Sequence, residues 1–141
     1  MATIKYCVSA LAAVLVAGAA QSAGLSPADI VHRHTAAAAK SDIPALMADY
    51  ADDAVVLEAG KAIQGKAAIH TLYEKMFPKR PAGAAATGVA AMKVTRVWQE
   101  GNVGFVTWEM GPVHGTDEFL VRNGKIAVQA VFISGAPQAK K

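Results

Sequence analysis

At 141 residues the chain is long enough for one domain with a real core and too short for two. Its 14 Lys and Arg nearly balance 11 Asp and Glu, and the basic side chains are scattered, with no stripe of Lys and Arg interleaved with aromatics. That distribution argues against a nucleic-acid partner. The one cysteine, Cys7, falls in the first few residues, so the remainder has neither a disulfide nor a thiolate nucleophile.

The first 23 residues read as a secretory signal peptide. Lys5 is the only charge before Asp29, and residues 8–20 form a run of small and apolar side chains. Ala17-Gly18-Ala19 and Ala20-Gln21-Ser22 both offer cleavage points. The run is too short and too Ala-rich for a good membrane span. The expectation is a periplasmic or secreted protein with no stable membrane insertion after cleavage, its single domain occupying residues 24–141.

In that domain Ser26-Pro27-Ala28-Asp29 opens a helix, with Ser at the cap, Pro at the first helical position and an acid in the first turn. Ile30, Val31, His34, Ala37 and Ala38 form its apolar side. Ser41-Asp42 ends it and caps a second short helix carrying Ile43, Leu46, Met47 and Tyr50. Asp52-Asp53 reads as the connection into a short strand ending at Glu58. Along that strand Ala54, Val56 and Glu58 share one face, so a carboxylate sits with apolar neighbours. The turn Glu58-Ala59-Gly60-Lys61 follows, and Gly65 precedes a third helix with Ile69, Leu72, Tyr73, Met76 and Phe77 on its core side.

Pro78 stops the third helix, and residues 79–88 form a Pro-, Gly- and Ala-rich loop read as a flap. From there the period becomes alternating, with strands expected at 90–99, 103–110, 117–122 and 125–134. Gly101-Asn102 and Asn123-Gly124 are hairpin signals, and Pro112 to Gly115, including His114, reads as a longer turn. The predicted fold is α+β, a cone of three N-terminal helices packed on a curved, mostly antiparallel sheet.

Three segments carry a family resemblance: Ala51-Asp52-Asp53-Ala54-Val55, Gly65-Lys66-Ala67-Ala68-Ile69, and Gly115-Thr116-Asp117-Glu118-Phe119 through Gly124-Lys125-Ile126. The chain resembles the nuclear transport factor 2-like superfamily, in particular its SnoaL-like and ketosteroid-isomerase-like members. That superfamily includes isomerases, dehydratases, epoxide hydrolases, cyclases and non-catalytic binding or dimerisation modules, so fold alone does not choose an activity. The resemblance implies a general-base carboxylate at Glu58 and a carboxylic acid that helps hold an oxyanion at Asp117. At the position of the family's oxyanion tyrosine on the first helix this chain has His34, and its base is Glu where those enzymes have Asp. Tyr50, Val56, Trp108 and Phe119 would line the substrate pocket, and a homodimer would form through the outer sheet face.

Each candidate also has a plainer reading. Glu58 could turn into solvent beside Lys61, Asp117 could bond the backbone at Gly115-Thr116 and start its strand, and His34 could be a satisfied core histidine. His32 and His70 are expected toward solvent, His70 pairing with Glu74 at helical spacing. No pair of histidines has metal-ligand geometry, and neither a phosphate-binding Gly-rich loop nor a nucleophile elbow is present. The expectation is therefore an enzyme that needs no cofactor or metal, acting by proton transfer on a small apolar molecule as isomerase, lyase or cyclase. The alternative is a non-catalytic periplasmic module for ligand binding or dimerisation.

Overall fold

A computed structural model describes residues 24–77 and 88–135. The expected signal peptide and all but Gly88 of the expected flap lie outside the described residues. The first helix, α1 (Pro27–Lys40), starts at a capping box: Ser26 Oγ accepts from the Asp29 amide at 3.2 Å, and Asp29 Oδ2 accepts from the Ser26 amide at 3.1 Å. Ser41 ends it in the left-handed conformation, and Asp42 caps α2 (Ile43–Asp49) by accepting from the Ala45 amide. Both helix boundaries follow the sequence reading, except that Tyr50 leaves the helix and begins the first strand, β1 (Tyr50–Glu58). Asp52 and Asp53 consequently lie within β1, both exposed, with Asp53 paired to Arg122 at 2.7 Å, and do not form a connection.

Ala59 and Gly60, both at positive φ, turn the chain into a short edge strand, β2 (Lys61–Gln64), where the sequence reading had only a turn ending at Lys61. Four mostly exposed residues give too little alternation to announce a strand. The third helix, α3 (Lys66–Met76), follows Gly65 directly. After a 3₁₀ turn at Gly88–Ala91 come β3 (Lys93–Glu100), β4 (Val103–Met110), β5 (Val113–Arg122) and β6 (Lys125–Ser134). The 3₁₀ turn delays β3 by three residues relative to expectation. The β4–β5 connection is only the pair Gly111-Pro112, so the expected longer turn is strand, and His114 is an exposed strand residue. Asn123 and Gly124, at φ 53° and 71°, make the expected type I′ turn.

The strands form one open, mixed, curved sheet in the order β2-β1-β6-β5-β4-β3, antiparallel except for the parallel β1–β6 pair. That parallel pairing places the early strand beside the last one and joins the two halves of the chain. Its register sets Val56 against Gln129 and Glu58 against Val131, while β5 sets Asp117 against Val131 and Phe119 against Gln129. All six side chains therefore share the sheet's inner face. The helices cover this face with Ile30, Val31, Leu46 and Ile69, each fully buried and each contributing about 1.5–3 kcal/mol by leaving water. Gly104 lets α1 approach closely: a Cβ there would meet Val31 Cγ2 at 2.6 Å and the Pro27 carbonyl oxygen at 2.9 Å. Among the described residues no helix is long and apolar enough to cross a membrane.

Candidate functional site

Between the helices and the inner face lies a cavity of about 290 Å³. Its polar wall is made by His34 from α1, Glu58 from β1, Tyr73 from α3, Asp117 from β5 and Gln129 from β6. Val56, Trp108, Phe119 and Val131 form the apolar wall, completed by Met76, Met92 and Met110 and the half-exposed Ile133. The three sequence-derived acid–base candidates thus open onto one space. Of the expected lining residues, Val56, Trp108 and Phe119 take that place and Tyr50 does not. Starting β1 rather than ending α2 puts Tyr50 behind the wall, 1% exposed.

Asp117 is 9% exposed and sits in mid-strand. Its Oδ1 accepts from Trp108 Nε1 at 2.8 Å and its Oδ2 from Gln129 Nε2 at 2.9 Å. The reading of Asp117 as a strand-start residue bonded to nearby backbone is thereby replaced. Burial is the stronger influence on this carboxyl and lifts it above the ordinary 3.8; the two N–H donors and His34 pull the other way, and Glu58 adds to the rise. Glu58 is partly exposed, at the end of β1 opposite Lys61. Among the described residues neither Glu58 nor Asp117 forms an ion pair.

A chain of polar groups runs from Asp117 into the core. The Gln129 Oε1 accepts the Tyr50 hydroxyl, which lies 2.8 Å from the Tyr73 hydroxyl. Tyr73 in turn lies 3.2 Å from His34 Nε2. On the far side of the imidazole, Nδ1 is 3.4 Å from Oδ2 of Asp49, a fully buried carboxylate whose Oδ1 accepts from Arg33 Nε at 2.7 Å. Burial acts to raise the Asp49 carboxyl, but His34 and Arg33 outweigh it and leave it below 3.8. Burial drives both tyrosine hydroxyls above 10.0, so each keeps its proton and each has one to give.

His34, expected either in the site or as a satisfied core residue, lies at 3% exposure on the cavity wall with only its Nε2 hydrogen-bonded. The sequence reading missed Tyr73, Gln129, Asp49 and Arg33 as parts of this network. Gln129 had a signal, being the lone polar side chain between Ile126 and Ser134 of an apolar strand. Tyr73 had none beyond its place in an apolar helical stripe. His70 pairs with Glu74 at 3.6 Å, as its spacing predicts.

Residues 31–129 match the family model described as the SnoaL-like domain. Among solved structures, a nuclear transport factor 2-like protein of unknown function from Burkholderia xenovorans LB400 is 24% identical, with a TM-score of 0.59 over 79% of this chain and 84% of that one. A candidate polyketide cyclase from Sinorhizobium meliloti is 25% identical, with a TM-score of 0.58 over 73% and 93% of the two chains. An LEH-like epoxide hydrolase of M. tuberculosis is 20% identical, with a TM-score of 0.55 over 74% and 80%. The first and third of these likenesses show the fold alone. No curated protein matches the sequence.

Proposed function

The chain belongs to the SnoaL-like family, and within it we propose a cofactor-independent enzyme that moves a proton on a small, largely apolar molecule, as isomerase, lyase or cyclase. The observation that carries this reading is the convergence of Glu58, Asp117 and His34 on one mainly apolar cavity. Glu58 would be the general base. Asp117, lifted by burial, and His34 would orient the substrate or stabilise negative charge developing on its oxygen. Two carboxyls on one cavity with unlike surroundings can divide the base and donor roles, the pattern for which ketosteroid isomerase is a standard example. The Sinorhizobium meliloti likeness, a candidate polyketide cyclase, is compatible with such chemistry.

The substrate need not be identified for the test. A panel of small ketones and enones is incubated with the protein in D₂O, and deuterium uptake beside the carbonyl is followed by NMR. Exchange should occur with the native chain and vanish in Glu58→Gln, with the thermal midpoint nearly unchanged. Equal exchange in that variant would sink the assignment.

One observation favours a second reading, a ligand-binding module without chemistry. Both Asp117 oxygens and the Tyr73 hydroxyl already have partners within the protein, so the inner part of the polar wall is satisfied without a substrate. A co-purifying molecule that is released unchanged, with no exchange on any panel member, would select it.

We further propose export through the leader at residues 1–23, which N-terminal sequencing of protein recovered outside the cytoplasm would test. A homodimer through the outer sheet face is proposed on the exposed Leu57, Leu120 and Phe132, which point away from the cavity. Light scattering of the native chain and of Phe132→Glu checks it, the variant being monomeric if the face is the interface.

A further inference from the structure

We propose that Asp49 is a positioning residue for the cavity: its carboxylate keeps the His34 proton on Nδ1, so that Nε2 accepts the hydroxyl proton of Tyr73. Asp49 does not line the cavity. It acts through His34, and its use in turnover rests on the proton-transfer reading above.

The argument is a count of protons. Arg33 holds the Asp49 carboxylate through Oδ1, at 2.7 Å from Nε, which fixes the direction of Oδ2. Oδ2 and His34 Nδ1 then lie 3.4 Å apart, both buried, and neither has a hydrogen-bond partner among the described residues. An anionic oxygen opposed to a bare nitrogen lone pair is repelled, whereas one opposed to an N–H is attracted. The N–H therefore belongs on Nδ1. A neutral ring has one, so Nε2 is an acceptor, and the Tyr73 hydroxyl at 3.2 Å is placed to donate to it.

The remaining groups around the ring leave that assignment intact. Tyr50 and Phe119 meet the imidazole edge-on, with ring centroids 5.3 Å and 5.4 Å away. Asp117 and Glu58, the other titratable carboxyls of the cavity, are engaged elsewhere or lie on its opposite strands. With its proton given to His34, Tyr73 accepts from the Tyr50 hydroxyl at 2.8 Å, a proton that Gln129 Oε1 shares.

The experiment is long-range ¹⁵N–¹H NMR on histidine-labelled protein, with His34 assigned by its absence in His34→Gln. The native chain should show His34 as the Nδ1–H tautomer, and an Nε2–H tautomer overturns the proposal. In Asp49→Asn the one remaining oxygen stays with Arg33, and the amide NH₂ faces Nδ1, which can then only accept. The tautomer should therefore switch to Nε2–H, and retention of Nδ1–H overturns the proposal. Tyr73→Phe covers the case in which the Asn variant does not fold. It should keep Nδ1–H, whereas a switch there would assign control to Tyr73. No substrate is present in any arm, so this result and the deuterium-exchange result fail independently.

Discussion

The indole of Trp108 lies so close over Gly115 that a Cβ at residue 115 would meet Cζ2 at 2.2 Å and Cε2 at 2.5 Å. The two residues face each other across the β4–β5 ladder. Gly115 is required here for room. The seat it makes lets the ring turn its Nε1 to Asp117, two residues along the same strand. One absent side chain thus positions the donor that fixes the buried carboxyl, and the same five-residue segment supplies both the seat and the acid.

Gly115→Ala is accordingly expected to displace Trp108 and break its hydrogen bond to Asp117. Overpacking costs about 1–3 kcal/mol and the lost bond about 1 kcal/mol more. Urea melts should show the loss, and tryptophan emission should shift as the indole leaves its seat. Native stability together with native emission would show that the ring has a second place to go.

The two buried aspartates should give opposite pH dependences. Asp117 is raised above its unfolded value of 3.8, so the folded state holds the proton more tightly. Its contribution to stability is full below 3.8 and is lost as pH rises through the folded value. Asp49 is lowered, so its contribution is present above 3.8 and is lost as pH falls through the folded value. The thermal midpoint of Asp117→Asn relative to the native chain should therefore climb on going from pH 4 toward neutrality. That of Asp49→Asn should fall over the acid range, from below 3.8 upward. Parallel pH profiles for all three proteins would show that neither carboxyl titrates differently on folding.

Most of the architecture was legible because its signals are local. Ser26 and Asp42 announce their helices by side chains that accept from the next turn, and Asn123-Gly124 announces its hairpin by the positive φ both residues adopt. The errors lie where a residue type has two uses. Pro112 and Gly115 look like parts of one turn, yet only Pro112 turns the chain, and Gly115 makes room for an indole. The inward faces of Glu58, Asp117 and His34 were also readable from period alone, which is why all three reach the cavity. The network behind them was not, because Asp49 of α2, Tyr73 of α3 and Gln129 of β6 meet only through the packing of the helices on the sheet and the pairing of β6 with β1 and β5. No spacing in a sequence encodes a contact between residues 56 and 129.

Tyr50 gives the sharpest test of whether that network stabilises the fold or serves the cavity. Its hydroxyl bridges Gln129 Oε1 and the Tyr73 oxygen, and its ring lies behind the wall. Tyr50→Phe keeps the shape and removes one donor. Gln129 Oε1 is then left with the Tyr73 hydroxyl at 3.4 Å, whose one proton His34 also claims. Two buried acceptors compete for a single donor, and one goes unsatisfied at a cost of about 1–3 kcal/mol. Tyr73→Phe removes the other hydroxyl, and either change breaks the 2.8 Å Tyr50–Tyr73 contact, so the double variant should cost less than the two single changes added together, with a coupling of about 0.5–3 kcal/mol. Urea denaturation of the four proteins measures it. Strict additivity would mean that the hydroxyls act separately, and would remove the chain that links His34 to Asp117.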